Sequence, residues 1–264
     1  MHLVTLTTDF GARDWFVGVM KGVILGINQR ATMVDMTHEI PPGDIQAGAF
    51  VLMAACRYFP KGTVHVAVVD PGVGSGRRGI AVRTAGAVFI GPDNGILSWA
   101  LAREKIKTVR LLENRKYFLK PVSRTFHGRD IFAPAAAYAS AGLPVERLGR
   151  ELKNFHRLPW PEPRQHRGKI QGRIIHVDRF GNAITNIEED LLLRKGTVAF
   201  DVMGKRKVRC ALAEFYGVAP LGKPMAVIGS CGLVEIAVNG GSAARRFGLK
   251  IGDKVIASSV DTTR

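Results

Sequence analysis

The chain has 264 residues, 46% of them hydrophobic, so it can bury one large core or two smaller ones, and a disordered chain is excluded. Its formal net charge is +16, but the positive residues are scattered and their densest clusters, at 204–209 and 244–250, are short. This distribution argues against nucleic acid as the main partner. Three well-separated cysteines with no CxxC pair argue against a disulfide framework or a structural zinc site.

The N-terminal part of the chain alternates strand and helix signals. Apolar runs bounded by turn residues predict strands at 3–9, 32–37, 63–70, 79–84, 87–93 and 107–113. Helix formers with start and stop residues predict helices at 14–27, 41–59, 95–102 and 128–142. The sequence therefore predicts an α/β fold here, a mostly parallel sheet with helices on both of its faces and one hairpin around Ala85 and Gly86.

The composition changes in the proline-rich, polar segment RLPWPEPRQHRG at 157–168, which is typical of a linker. Beyond it, turn residues separate apolar runs that predict strands at 169–178, 183–187, 197–202, 207–213, 224–230, 232–238 and 254–260. We therefore predict an α/β domain at 1–158, a linker at 159–168 and a small antiparallel β domain at 169–264.

The chain starts with the strand-like run MHLVTLTTDFG, which has no basic leading region and no cleavage site, so no signal peptide is expected. No apolar run reaches the roughly 18 residues that a membrane-spanning helix requires. We expect a cytoplasmic protein without a membrane partner.

Three acids, Asp9, Asp70 and Asp93, follow predicted strands, in TTDFG, VVDPG and GPDNG. One acid followed by glycine usually marks a turn. The carboxyl ends of parallel strands meet at one edge of a sheet, where ligands bind, so we expect at least two of these acids to line a pocket.

The loop at 70–79 is rich in glycine, but it fits neither the Walker A pattern nor GxGxxG. A nucleotide-phosphate loop is therefore disfavoured. Its glycines give the chain the freedom to fold a guanidinium back onto Asp70. Arg77 and Arg78 both meet this requirement, and their spacing does not choose between them.

His127 stands immediately before the predicted helix at 128–142. One interpretation is a capping or surface histidine. The other is functional, because the positive end of a helix disfavours imidazolium and keeps a neutral imidazole available to accept a proton from water.

Polar residues also interrupt the C-terminal strands. Asp178 and Asn182 surround a tight turn in HVDRFGNAITNI, where they can simply serve the hairpin. In GSCGLVEIAVNGG, Ser230, Glu235 and Asn239 interrupt an apolar strand. Glu235 lies on the face opposite its two apolar neighbours, a face that meets either solvent or a ligand.

The ordered set TTDFG, VVDPGVG, GPDNG, FHGRDIFAP, DRFGNAITN and GSCGLVEIA, which spans residues 3 to about 257, resembles the S-adenosylmethionine (SAM) hydrolases, also called SAM hydroxide adenosyltransferases. These are relatives of the bacterial fluorinase and chlorinase. The resemblance implies an N-terminal α/β domain, a C-terminal β-barrel-like domain and a homotrimer with active sites between subunits. The implied reaction converts SAM and water into adenosine and L-methionine, with no cofactor and no metal.

The resemblance carries the family's catalytic set onto Asp70, Arg77 and His127, and so selects Arg77 over Arg78. These residues would hold water in line with C5′, and the residue that takes the proton is left open. Two alternatives are a SAM-dependent halogenase and a SAM- or adenosine-binding protein without turnover. Halogenases carry Tyr and Ser in place of Asp70 and His127, and a carboxylate beside the nucleophile would repel halide.

The resemblance also implies a substrate-binding set. Asp9 corresponds to the acid that grips the ribose hydroxyls, Asp178 and Ser230 to groups that hold the methionine amine and carboxylate, and Asn182 to an adenine contact. Phe215 or Tyr216 would stack on adenine. The full set is Asp9, Phe10, Asp178, Asn182, Phe215, Tyr216, Ser230, Glu235, Val238 and Asn239. Cys231 and Ile184 stand where the fluorinase has arginine and tryptophan.

Overall fold

The computed structural model describes residues 2–192 and 198–259. The ends of two predicted strands, at Thr197 and Val260, lie outside these residues. The chain divides into two compact units between Trp160 and Pro161. The α/β fold followed by an antiparallel β unit is confirmed.

The first unit contains a six-stranded sheet. Its strands are β1 (Leu3–Thr8), β2 (Thr32–Thr37), β3 (Val64–Val68), β4 (Gly79–Thr84), β5 (Val88–Pro92) and β6 (Ile106–Leu111). Their order is β2-β1-β3-β5-β4-β6. β2, β1, β3 and β5 pair in parallel, whereas β4 runs antiparallel to both of its neighbours. The sheet is therefore mixed, because the predicted hairpin places one reversed strand in it.

Helices cover both faces of this sheet, as predicted. They are α1 (Phe16–Ile27), α2 (Ile45–Cys56), α3 (Ser98–Leu101) and α4 (Ala133–Ser140). α1 and α4 pack with Leu6 and Val66 in one core, and α2 and α3 pack with Ala67 and Val82 in the other. Burial on both faces explains why β3, whose five residues are all buried, reads as an almost unbroken apolar run.

Three helix predictions differ from the structure by several residues at one or both ends. The predicted helix at 128–142 begins as a π-helical turn, Gly128–Phe132, before it continues as α4. The predicted helix at 95–102 is reduced to the single turn of α3. α2 begins at Ile45, four residues after the predicted start at 41, because the Asp44 side chain accepts the Ala47 N–H at 2.9 Å and caps the helix.

The second unit is an antiparallel, nearly closed sheet. Its strands are β7 (Arg164–His166), β8 (Lys169–Val177), β9 (Ala183–Glu188), β10 (Val198–Met203), β11 (Lys207–Ala211), β12 (Pro224–Ile228), β13 (Leu233–Val238) and β14 (Lys254–Ser259). The order is β11-β10-β14-β8-β9-β13-β12, with β7 beside β8. A bridge between Leu212 and Ala226 brings the two ends of this order together. The sequence missed β7 and the short helix α5 (Ala243–Phe247).

The segment predicted as a linker contains ordered contacts within each unit. In the first unit, the Trp99 indole donates to the Pro159 carbonyl at 3.4 Å and packs edge-on against Trp160. In the second, residues 164–166 form β7. The domain bounds 1–158 and 169–264 stay a prediction about independent folding.

None of the helices in the described residues is long and apolar enough to span a membrane. The cysteines Cys56, Cys210 and Cys231 all lie in the described part and form no disulfide there.

Candidate active site

Asp70 follows β3 at the carboxyl edge of the first sheet, and Arg77 folds back onto it. Arg77 Nε donates to Asp70 Oδ1 at 2.9 Å and to Oδ2 at 3.0 Å, and Nη2 also donates to Oδ2. The two side chains are 6% and 12% exposed. The guanidinium also lies over the Phe132 ring, 5.2 Å from its centre. The glycine-rich loop thus closes into the acid–guanidinium pair expected from its composition, in a setting where little solvent screens it.

The neighbouring Arg78 has a different partner. It pairs with Asp93, whose side chain is 2% exposed and which also accepts the His156 N–H at 2.6 Å. Asp93 therefore anchors the chain at 154–158 and does not line the cavity described below. Of the three acids that follow strands, the two at Asp9 and Asp70 share a pocket.

The loop at 70–79 is held against the segment that precedes His127. Gly74, at φ +78°, packs so closely on the Arg124 carbonyl that no Cβ fits between them. The Ser75 hydroxyl donates to the Gly72 carbonyl at 2.6 Å and tightens the turn. This packing places Arg77, near the end of the loop, within hydrogen-bonding distance of His127.

His127 completes the cluster. Its Nδ1 lies 2.8 Å from Arg77 Nη2. Burial, followed by the nearby Arg77 charge, lowers the pKa of His127, although Asp70 and Asp130 act in the opposite direction. The imidazole is therefore neutral at neutral pH, the state that the functional interpretation requires. The cause is desolvation and a cation, and the helix end that the sequence argument invoked is a π-helical turn.

Asp130, which sequence reasoning did not single out, shapes this segment. It is almost completely buried, pairs with Arg129, and accepts the Ser123 N–H at 2.7 Å. The acid in the HGRD stretch was visible in the sequence, but its partner seven residues earlier was not.

A cavity of about 370 Å³ opens at this cluster, a volume within the roughly 300–1,000 Å³ range of small-molecule sites. Its lining includes Asp9, Phe10, Gly43, Asp70 and His127. Asp9 Oδ2 accepts the Gly43 N–H at 2.8 Å, which orients the carboxylate.

Sequence reasoning missed the aromatic wall of this cavity. Phe16 and Phe126 line it together with Phe10, and the three ring centres lie 5.1 to 5.8 Å apart. The sequence gives little indication of this wall, because each phenylalanine lies in a different apolar stretch and is typical of a core residue. The cavity thus combines an apolar wall with two carboxylates and an imidazole.

In the second unit, Asp178 and Asn182 form the turn between β8 and β9. Asp178 Oδ1 accepts the Asn182 N–H at 2.8 Å, and Oδ2 accepts from the Asn182 amide at 3.1 Å. The hairpin interpretation of these residues is therefore observed. The same two side chains also line a cavity of about 810 Å³ in this unit.

Glu235 lies in this cavity wall, 6% exposed, opposite the core face of β13. The Tyr216 hydroxyl donates to its Oε2 at 2.9 Å. Burial raises the pKa of Glu235, the Tyr216 hydrogen bond opposes this rise, and Asp178 adds to it. Burial and the same hydrogen bond raise the pKa of Tyr216 to about 12. Gly229 leaves room for the carboxylate, since a Cβ there would overlap it.

The structure brings six of the predicted substrate-binding residues to this second cavity: Asp178, Asn182, Tyr216, Ser230, Glu235 and Val238. Two are placed elsewhere. Phe215 is largely exposed, and the Asn239 side chain donates to the Ala219 carbonyl at 2.7 Å. The roles assigned to these residues from the sequence stay predictions.

The described residues of the two units contain no grouping suited to a metal. Within residues 2–192 and 198–259, no set of three or more His, Cys, Asp or Glu side chains could hold a metal ion. The chemistry that the first cavity offers is that of hydrogen bonds and fixed charge around a small nucleophile.

Fold and site together define a class of protein: a mixed α/β unit with an acid–guanidinium–imidazole cluster at a cavity, followed by a nearly closed antiparallel sheet. The N-terminal domain of the SAM hydroxide adenosyltransferases matches residues 4–149, and their C-terminal domain matches residues 172–256. The chain belongs to the SAM hydroxide adenosyltransferase family.

Individual relatives indicate the same family. A curated (R)-S-adenosyl-L-methionine hydrolase from Thermus thermophilus is 40% identical over 261 residues, which cover 96% of this chain and 98% of that protein. A fluorinase from an Actinoplanes species is 26% identical over 290 residues, 95% of each chain. The crystal structure of an uncharacterized conserved protein from Thermotoga maritima superposes with a TM-score of 0.91 at 38% identity, covering 97% of this chain and 99% of that one.

Proposed function

We propose that this chain is an enzyme that hydrolyses S-adenosyl-L-methionine, with water attacking C5′ to give adenosine and L-methionine. The observation that carries the proposal is the hydrogen-bonded set Asp70, Arg77 and His127, of which Asp70 and His127 line a cavity together with Asp9. The curated relatives named as hydrolases, 36–41% identical, support the same reaction.

The chemistry requires a positioned nucleophile more than an activated leaving group. The sulfonium leaves as a neutral thioether and needs no proton. Water is a weak nucleophile, so the enzyme must hold it in line with C5′, and such orientation supplies up to roughly 7–11 kcal/mol of the barrier. Asp70 and His127 are the polar groups of the cluster that line the cavity, so the attacking water is placed at this end of the cavity in the proposal.

The proposed substrate contacts are those that the family resemblance implies, and the linings of the two cavities support most of them. In the first cavity, Asp9 binds the ribose hydroxyls and Phe10 belongs to the apolar wall beside them. In the second, Asp178 and Ser230 hold the methionine end, and Tyr216 with Glu235 contacts the nucleoside. Phe215, Asn182, Val238 and Asn239 complete the proposed set, with the last two contributing backbone groups.

A homotrimer with active sites between subunits and a cytoplasmic location are further parts of this proposal, and both follow from the family resemblance. Analytical ultracentrifugation tests the homotrimer, since a monomer of this chain has a mass of 28.7 kDa and a trimer three times that mass. No cofactor is proposed, because SAM itself is the substrate.

The test is chromatography of an incubation with SAM in ¹⁸O-labelled water. We expect adenosine and methionine in equal amounts, with the label in the adenosine 5′-hydroxyl. Because the curated relatives are named for the (R) form, both sulfonium epimers are offered. Chloride and fluoride are added in parallel, and a halogenated adenosine in place of adenosine would indicate a halogenase instead.

Variants locate the site. Asp70→Ala and His127→Ala should still bind SAM in a calorimetric titration but release little adenosine, while the matched control Arg78→Ala, whose partner is Asp93, should turn over. A wild-type protein that binds SAM and releases no adenosine would leave a binding protein as the function.

A further inference from the structure

The hydrogen bond between Arg77 and His127 determines which imidazole nitrogen carries hydrogen. A guanidinium has five N–H donors and no acceptor. Arg77 Nη2 and His127 Nδ1 are 2.8 Å apart, so Nδ1 must accept and cannot itself carry hydrogen. In a neutral imidazole the hydrogen then resides on Nε2.

The other side of the ring agrees with this tautomer. The Ser123 backbone acts to raise the pKa of His127, as an acceptor beside the ring does. The Nε2–H tautomer supplies the donor that such an acceptor requires.

The same geometry leaves His127 without a free lone pair. The one basic nitrogen of the ring, Nδ1, accepts from Arg77. A proton added to Nδ1 would point at the guanidinium. Arg77 in turn is fixed by Asp70, by His127 and by the Phe132 ring. It is not one of the described residues that line the cavity, whereas Asp70 and His127 are.

We propose that His127 is a positioning residue, held as the Nε2–H tautomer by Arg77, and that the Asp70 carboxylate is the group that accepts the proton of the attacking water. This assignment rests on the proposed hydrolysis of SAM. As the water oxygen bonds to C5′, the C5′–S bond breaks and sulfur keeps the electron pair. One hydrogen of the water passes to Asp70 and from there to solvent. Asp70 Oδ1 receives Arg77 Nε alone and keeps a lone pair for this transfer.

Amide substitutions separate the two roles. His127→Asn places a carbonyl oxygen near the position of Nδ1, where it can accept from Arg77, but it has no basic nitrogen. If His127 only positions Arg77, His127→Asn or His127→Gln should recover kcat to within about tenfold of wild type, whereas His127→Ala should stay about 100-fold or more below it. A general base predicts losses of roughly 10²–10⁴-fold in all three variants. Asp70→Asn, the matched amide at the acid, should lose about 100-fold or more.

A spectroscopic measurement tests the tautomer without relying on turnover. In ¹⁵N-labelled wild-type protein, His127 should show a protonated Nε2 and an unprotonated Nδ1, assigned by comparison with His127→Gln. In Arg77→Met the preference for this tautomer should be lost. A protonated Nδ1 in the wild type, or amide variants as inactive as His127→Ala, overturns the assignment. Absence of adenosine from the wild type would instead refute the proposed function and leave the tautomer to be decided by the spectrum.

Discussion

Gly74 is the point at which the loop between Asp70 and Arg77 touches the segment that carries His127. Its φ is +78°, and a Cβ there would overlap the backbone carbonyl oxygen of Arg124, well inside the 3.0 Å that real Cβ atoms keep. Because the obstacle is a backbone atom, no side-chain rotation relieves the overlap. We therefore expect Gly74→Ala to push the loop away from the His127 segment.

The size of the effect follows from the geometry. Clearing the overlap takes a displacement of about 1 Å, and a misplacement of about 1 Å lowers the rate by on the order of 10²-fold when catalysis depends on positioning. Arg77 Nη2 and His127 Nδ1 are 2.8 Å apart, so such a shift separates them beyond a good hydrogen bond. An alanine in left-handed backbone adds roughly 1–2 kcal/mol of strain. We expect kcat to fall about 100-fold and the free energy of unfolding to fall by about 1–2 kcal/mol.

The assay is adenosine release from SAM under saturating conditions, together with denaturant unfolding. Gly76→Ala is the matched control in the same loop, because a Cβ at Gly76 meets no described atom within 4 Å. It should keep wild-type kcat. Wild-type turnover in Gly74→Ala, or an equal loss in Gly76→Ala, would refute the argument that this contact couples Arg77 to His127.

Three further predictions concern acid stability and neighbouring side chains. Burial lowers the pKa of His65 to about 4 from 6.5, so on acidification this histidine is protonated in the unfolded state before it is protonated in the folded state. Its contribution to the free energy of unfolding is fully present above pH 6.5 and is lost as the pH falls toward 4, by about 3 kcal/mol in total. Denaturant unfolding at pH 7.5 and 4.5 should show this loss in wild type and a smaller one in His65→Gln. Tyr216→Phe removes the hydroxyl that donates to buried Glu235 and should lower the free energy of unfolding by about 1–3 kcal/mol, while Glu235→Gln, which keeps an acceptor oxygen, should be milder; an unchanged midpoint in Tyr216→Phe contradicts this. Arg77→Ala should abolish adenosine release, whereas Arg78→Ala should lower unfolding free energy by roughly 1–3 kcal/mol with turnover of the folded protein retained, and the reverse outcome would exchange their roles.

The elements that the sequence predicts well are those whose signals are local. The strands predicted at 3–9, 63–70 and 107–113 appear within a few residues of those bounds, because each is an apolar-rich run bounded by turn residues. The hairpin around Ala85 and Gly86 is also local, since its turn residues adjoin the strands. The start of the helix predicted at 128–142 is less accurate, because the π-helical turn found there has no composition signal.

The candidate site likewise combines features that local sequence patterns predict with features that depend on distant contacts. Strand order and parallel pairing bring Asp9 and Asp70 to one edge of the sheet, which the pattern of acids after strands anticipates. The spacing of Arg77 and Arg78 left their partners open. The tertiary structure distinguishes them, because Asp93 lies within reach of Arg78 and satisfies it.

The sequence by itself determined the two kinds of sheet, the acids at the strand ends and the flexible loop that follows Asp70, because each depends on residues close together in the chain. Only the tertiary structure decided the partner of each arginine, the tautomer of His127, the burial of Glu235 against Tyr216, and the aromatic wall made by Phe16 and Phe126. Apart from the pairing of Arg77 with Asp70, seven positions away, these features depend on contacts between residues 15 to 110 positions apart. Hydrogen bonds and packing at such separations are set by how strands and helices come together, a property that no short stretch of sequence contains.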